Sequence, residues 1–84
     1  MANNPGAKKR IRQNAVRRLR NRYRVTTTRT YIKKLRNAET KEAAEQLLPV
    51  TISHIDRCVK RNLFHRNKAA RLKSRLTKHV QQMG

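Results

Sequence analysis

Four cationic side chains near the end of the chain recur at spacings of three, four and three residues. They are Lys68, Arg71, Arg75 and Lys78. On an α-helix these spacings place all four on one face. Lysine supplies a point charge to a phosphate, and arginine also offers a planar fork to paired oxygens. The pattern therefore predicts phosphate binding, although a single such row is more often a solvated helix face.

His54 and Cys58 are the other pair whose spacing could support chemistry. Four residues apart, they would share a helix face, as a thiolate–imidazole pair or two metal ligands require. Two ligands do not make a zinc site, so we favour a half-buried thiol beside a surface histidine. With four carboxylates in the chain and no glycine-rich loop, no acid–base pair or nucleotide cradle can be assembled. We predict no enzyme activity, no metal, no cofactor and no small-molecule substrate.

The charge of the whole chain strengthens the phosphate-binding prediction. The 84 residues include 23 Lys and Arg against four Asp and Glu, a formal net charge of +19. All four acids lie between residues 39 and 56, so two basic arms flank a nearly neutral segment. A compact protein this cationic repels itself and requires a polyanionic partner, with nucleic acid as the first candidate.

Composition also limits the class of protein. The single cysteine, Cys58, excludes an internal disulfide and fits a reducing compartment. No apolar run approaches the roughly 20 residues of a membrane span, and no hydrophobic stretch of the signal-peptide kind follows the basic N-terminus. We therefore expect a cytoplasmic, uncleaved chain with one thin-cored domain and no membrane partner.

The elements that position these cations are all predicted to be helices, because no alternating run bounded by turn residues is present. Helix one is expected over about residues 5–37, with Asn4 as N-cap and Pro5 in the first helical position. Nine of the 17 residues from Lys8 to Arg24 are Lys or Arg, so this half should be ordered by its partner. The apolar seam is confined to the C-terminal half, at Val25, Thr28, Ile32 and Leu35.

Helix two is expected over about residues 41–61, with Thr40 as a cap and Asn62 as a left-handed terminator. Pro49 should cause a kink or a restart, because proline removes a backbone hydrogen bond and clashes with the preceding turn. The predicted apolar face consists of Ala44, Leu47, Leu48, Ile52, Ile55 and Val59.

Helix three is expected over about residues 68–83, with Asn67 as its N-cap. Its apolar row consists of Ala69, Leu72, Leu76, Val80 and Met83. At about 100° per residue, the cationic row lies roughly a third of a turn from this apolar row. One helix can thus sit on a core while holding out four charges.

Several segments of the chain form a recognisable set of motifs. The most specific is the run from Leu63 to Arg71, LFHRNKAAR, followed by Lys73-Ser74-Arg75-Leu76. The other segments are Met1-Ala2-Asn3, Ala7-Lys8-Lys9-Arg10 with Gln13, Arg29-Thr30-Tyr31-Ile32-Lys33-Lys34-Leu35, and Asp56-Arg57. Together these segments resemble the bacterial small-subunit ribosomal protein bS20 family, and the resemblance spans nearly the whole chain.

This resemblance implies a three-helix bundle with a long, basic, partly protruding first helix. It also implies a ribosome-bound monomer that binds small-subunit ribosomal RNA, holding together helices of the 5′ domain and touching the long penultimate helix. By similarity, the RNA contacts fall on Lys8, Lys9, Arg10, Gln13 and Arg17, and on His65, Arg66, Asn67, Lys68, Arg71 and Arg75. The predicted interface also includes Arg18, Arg24, Arg29, Lys33 and Lys78.

Two other classes of function share parts of this pattern. A DNA-compacting, nucleoid-type protein would match the charge and helicity, but would more naturally show dimerisation heptads or a groove-inserting arm. A membrane-active amphipathic peptide needs large apolar residues on one face of an isolated helix.

Aromatic residues are too few for a single-strand stacking platform. We expect Tyr31 and Phe64 in the core, whereas Tyr23 could contact either protein or nucleic acid.

Overall fold

The structure is a computed structural model that describes residues 5–83, and it contains three α-helices in this range. They are α1 (Pro5–Arg36), α2 (Lys41–Lys60) and α3 (Arg66–Gln82). Within the described range no residue lies in a strand, and the all-α prediction is confirmed. The N-cap expected at Asn4 lies outside the described residues.

The first helix is much longer than the part of it that packs. Its 32 residues span about 48 Å at 1.5 Å per residue, and the Cα atoms of the described residues extend over 62 × 23 × 13 Å. Every side chain from residue 8 to residue 20 is exposed. Burial starts further along, where Thr28, Ile32 and Leu35 are buried and Val25 packs against the core. The predicted seam and the protruding basic arm are both confirmed.

The second helix begins and ends as its sequence indicates. Thr40 has extended backbone angles, and its hydroxyl accepts a hydrogen bond from the Ala43 N–H at 3.2 Å. At the other end Asn62 adopts a positive φ of 60°, which asparagine tolerates better than most residues. Both predicted ends are confirmed.

Pro49 lies inside α2, and the helix continues through it without a restart. The proline cannot donate to the carbonyl of Glu45, but both residues are exposed, so water can hydrate that carbonyl. The predicted restart is therefore wrong. A bend at this position stays a prediction.

The third helix begins earlier than expected, with His65 rather than Asn67 as its N-cap. His65 has extended backbone angles, and its Nδ1 accepts a hydrogen bond from the Asn67 N–H at 3.1 Å. The cause lies in the preceding turn, where the N–H groups of Leu63 and Phe64 both bond to the carbonyl of Cys58, at 2.8 and 3.2 Å. Phe64 is buried in that turn, and the helix begins two residues later, at Arg66.

The core draws on all three helices. Leu35, Ile55 and Leu76, one from each helix, are almost completely buried. α2 packs against both other helices, whereas α1 and α3 contact each other less extensively. The predicted apolar faces of α2 and α3 lie in or against this core, except for Ile52, which is half-buried and lines a surface pocket beside Pro49. The three-helix bundle is confirmed. Thr51 and Cys58 of α2 are also buried, although the sequence pattern did not predict them on its apolar face.

Candidate nucleic-acid interface

The α3 helix has two distinct sides, as its two rows of residues predict. Ala69, Leu76 and Val80 are buried on one side. All four members of the cationic row, Lys68, Arg71, Arg75 and Lys78, are exposed. Since the two rows lie roughly a third of a turn apart, the core holds the helix while the charges face solvent.

The start of α3 presents a second group of predicted contacts. His65, Arg66 and Asn67 are all exposed. Because Nδ1 of His65 accepts the capping hydrogen bond, the proton of the neutral ring lies on Nε2, where it can be donated to a ligand. Lys68 Nζ lies 4.9 Å from the centroid of the Phe64 ring, a cation–π contact that holds its ammonium near the turn.

A single ion pair occurs in the part of the chain that the structure describes. Lys73 Nζ donates to Asp56 Oδ1 at 2.8 Å, and the pair joins α3 to α2. An exposed pair of this kind contributes about 0 to 1 kcal/mol to stability. Its main consequence is electrostatic, because the negative charge of Asp56 is balanced by Lys73.

The predicted contacts on α1 divide between two faces of the helix. Lys8, Lys9 and Arg10 lie on the protruding arm and are exposed. At about 100° per residue, Gln13, Arg17 and Arg24 fall on one face, whereas Arg18, Arg29 and Lys33 fall about 100° or more away. The arm is therefore cationic on more than one side.

The face of α1 that carries Gln13, Arg17 and Arg24 borders a groove whose other wall is the C-terminal end of α2. The groove consists of two adjoining cavities of about 1040 and 690 Å³, and both are lined by Arg20, Arg24, Lys60 and Arg61. Sequence reasoning missed five of the cations that line it, namely Arg12, Arg20, Arg57, Lys60 and Arg61. Arg57, Lys60 and Arg61 follow the i, i+3, i+4 spacing that places side chains on one helix face, and this spacing could have indicated them in the sequence.

Sequence similarity to known proteins identifies the family of this chain. The sequence model of the family described as ribosomal protein S20 matches residues 2–81 of the 84. The chain belongs to this family. A relative from Christiangramia forsetii, called small ribosomal subunit protein bS20, is 60% identical over 80 residues, which cover 95% of this chain and 96% of the relative.

Two further relatives carry the same name. The protein from Flavobacterium johnsoniae is 54% identical over 80 residues, covering 95% of this chain and 96% of the relative. The protein from Parabacteroides distasonis is 50% identical over 80 residues, covering 95% of each chain. Membership of the S20 family confirms the resemblance seen in the sequence, and a ribosomal structural protein is not a class of enzyme.

The three aromatic side chains of this S20 family member have different surroundings. Phe64 is buried in the core. Tyr31 is half-buried and stacks on His54, with ring centroids 4.6 Å apart and an interplanar angle of 19°. Tyr23 is 73% exposed. The protein core therefore leaves the Tyr23 ring available to a partner.

His54 and Cys58 contact different partners in the structure. Cys58 is 1% exposed, more buried than predicted, and its sulfur lies 3.2 Å from Thr28 Oγ1. The imidazole of His54 is instead engaged by Tyr31. Among residues 5–83 no group of three or more His, Cys, Asp or Glu side chains is arranged to hold a metal ion.

None of the three helices described is both long enough and apolar enough to cross a membrane.

In α3, Nε2 of His79 is buried and has no hydrogen-bond partner among the described residues. That nitrogen faces the protein interior and lies outside the candidate interface.

Proposed function

We propose that this protein is a structural component of the small ribosomal subunit that binds small-subunit ribosomal RNA directly and bridges RNA helices during assembly. One observation carries the proposal: the same molecule presents exposed cations both on the α3 row and on the protruding arm of α1. The printed names of its relatives support the ribosomal assignment.

The arrangement suits bridging because the two cationic surfaces belong to different parts of the molecule. The α3 row sits on the bundle, whereas residues 8–20 project from it with every side chain exposed. RNA helices repel one another through their phosphates. A cationic protein that touches two of them releases counterions from both and lowers that repulsion.

The resemblance to the bS20 family supports a more specific version of this proposal. The RNA partners are the 5′ domain and the long penultimate helix, and the protein acts as a monomer on cytoplasmic ribosomes. The proposed contacts on α1 are Lys8, Lys9, Arg10, Gln13, Arg17, Arg18, Arg24, Arg29 and Lys33. Those at and along α3 are His65, Arg66, Asn67, Lys68, Arg71, Arg75 and Lys78.

Recognition should depend mainly on phosphates and on RNA shape. Arginines outnumber lysines by 14 to 9, which favours phosphates held in a defined geometry. Tyr23 is the one aromatic ring that is largely exposed in the described chain, so base stacking can add little.

Co-sedimentation tests the proposed function. A tagged form of the full chain should travel with small ribosomal subunits in a lysate and dissociate only as salt is raised. In a purified system it should bind small-subunit ribosomal RNA more tightly than DNA duplex at the same salt concentration. Co-sedimentation with chromosomal DNA, or equal affinity for the two nucleic acids, would contradict the proposal.

A further inference from the structure

The groove between α1 and the C-terminal end of α2 is a concave surface lined with cations from both helices. We propose that it holds one sugar–phosphate strand of the ribosomal RNA, separately from the contacts made by the α3 row. This inference rests on the proposed function and extends its α1 surface, which already includes Arg17 and Arg24, across to the end of α2. The groove is lined by residues of two helices, including Arg24 of α1 and Lys60 of α2.

The charge of the groove is entirely of one sign. Seven of its lining side chains are cationic and none is acidic: Arg12, Arg17, Arg20, Arg24, Arg57, Lys60 and Arg61. The carboxylate of the neighbouring acid, Asp56, pairs with Lys73, with Oδ1 and Nζ 2.8 Å apart, and no other ion pair occurs among the described residues. The groove thus concentrates positive charge that the protein itself leaves uncompensated, as a polyanion site requires.

A helix C-terminus carries partial negative charge, which by itself disfavours a phosphate at the end of α2. Here three of the last four carbonyls of α2 are already bonded. The Arg57 carbonyl accepts from the Arg61 N–H at 3.1 Å, and the Val59 carbonyl accepts from the Asn62 N–H at 3.0 Å. The Cys58 carbonyl accepts from Leu63 at 2.8 Å. Cationic side chains therefore dominate the field at this wall of the groove.

Part of the groove is also pre-ordered. Arg24 is half-buried, and its guanidinium donates to Asn21 Oδ1 at 3.3 Å. The carbonyl of Arg24 accepts a hydrogen bond from Thr28 Oγ1 at 2.9 Å. A guanidinium held in this way loses less side-chain entropy when it binds a phosphate than a freely rotating one does.

Leu19 and Tyr23 give the groove an apolar edge. Both line its larger cavity, and both side chains are mostly exposed, at 66% and 73%. A phenol ring beside a row of cations can stack on a base or a ribose while the cations hold the adjoining phosphates. This combination fits a nucleic-acid strand better than an isolated anion.

A matched pair of double variants tests the site. R57Q/R61Q removes two cations from the groove. R36Q/K41Q removes the same charge from the turn between α1 and α2, at the opposite end of α2, where neither residue is a proposed contact. All four side chains are exposed, so both proteins should melt like the parent.

The measurement is the affinity for transcribed small-subunit ribosomal RNA as a function of salt. For R57Q/R61Q, the slope of log K against log salt should shrink by about 1 to 2, since each lost phosphate contact removes 0.7 to 0.9. For R36Q/K41Q it should change by less than about 0.5. Equal slopes for the two variants would overturn the groove site but leave the proposed function intact. Failure of the unmodified protein to bind this RNA would overturn the proposed function itself.

Lysine footprinting gives a second measurement that needs no variant. Lys60 lines the groove and Lys41 begins the same helix, and both are exposed. Bound RNA should protect Lys60 from acetylation, whereas Lys41 should react as it does in the unbound protein. Equal reactivity of Lys60 with and without RNA would contradict the inference.

Discussion

The thiol of Cys58 donates a hydrogen bond to the hydroxyl oxygen of Thr28, across the contact between α2 and α1. The two atoms are 3.2 Å apart. The hydroxyl has one proton, which it gives to the carbonyl of Arg24 at 2.9 Å, so the thiol must be the donor of the pair. Among residues 6–36 of α1, Thr28 is the first that is buried. This bond therefore lies where the arm leaves the bundle.

Replacing this thiol should affect folding and leave RNA binding unchanged. C58A removes a buried atom and one hydrogen bond, so we expect a loss of about 1 kcal/mol of unfolding free energy. RNA affinity should stay within about 0.5 kcal/mol, because the thiol is buried. Thermal melting and RNA titration check both parts. C58S, which retains a hydroxyl donor, is the control, and stoichiometric zinc in the purified protein or a loss of binding in C58A would contradict this account.

The arm of α1 should be only partly helical before RNA binds. From residue 8 to residue 20 no side chain is even half-buried, and like charges recur four residues apart along this stretch. The three β-branched residues at 26–28 further lower helix propensity. Circular dichroism at moderate salt should show helicity that rises when RNA is added. Helicity above three quarters that RNA does not change would contradict this prediction.

Two variants of His65 separate its role as the N-cap of α3 from its proposed RNA contact. H65N keeps a capping side chain, because asparagine is among the preferred N-caps, but removes the imidazole N–H. We expect an unchanged melting temperature and weaker RNA binding. H65A loses both functions, with a further cost of about 1 kcal/mol to stability. If H65N binds RNA as tightly as the parent, His65 is a cap and nothing more.

Much of this fold could be predicted from local sequence patterns. The apolar rows of α2 and α3, the Thr40 cap and the Asn62 terminator all depend on residues close together in the chain. The start of α3 could not be predicted in the same way. Asn67 is a good capping residue, but the turn that buries Phe64 sets the boundary two residues earlier, at His65. Tertiary packing overrode a local preference.

The same distinction applies to the interface. The α3 row is visible in the sequence because its members share one helix. The groove is not visible in this way, because Arg20 and Arg24 of α1 meet Lys60 and Arg61 of α2 only when the helices pack antiparallel. Sites built from two elements require the structure.

The central claim is that α3 packs on the protein with one face and binds RNA with the other, and a pair of double variants tests it most directly. R71Q/R75Q should weaken RNA binding, reduce the slope of log K against log salt by about 1 to 2, and leave the melting of the unbound protein nearly unchanged. L72A/L76A should melt the bundle, because Leu76 is 1% exposed and such truncations cost about 2 kcal/mol or more in a core. Its RNA binding should weaken with a salt slope close to that of the parent. If the two variants show the same salt slope and the same stability, the two faces of α3 are not distinct surfaces and the account is wrong.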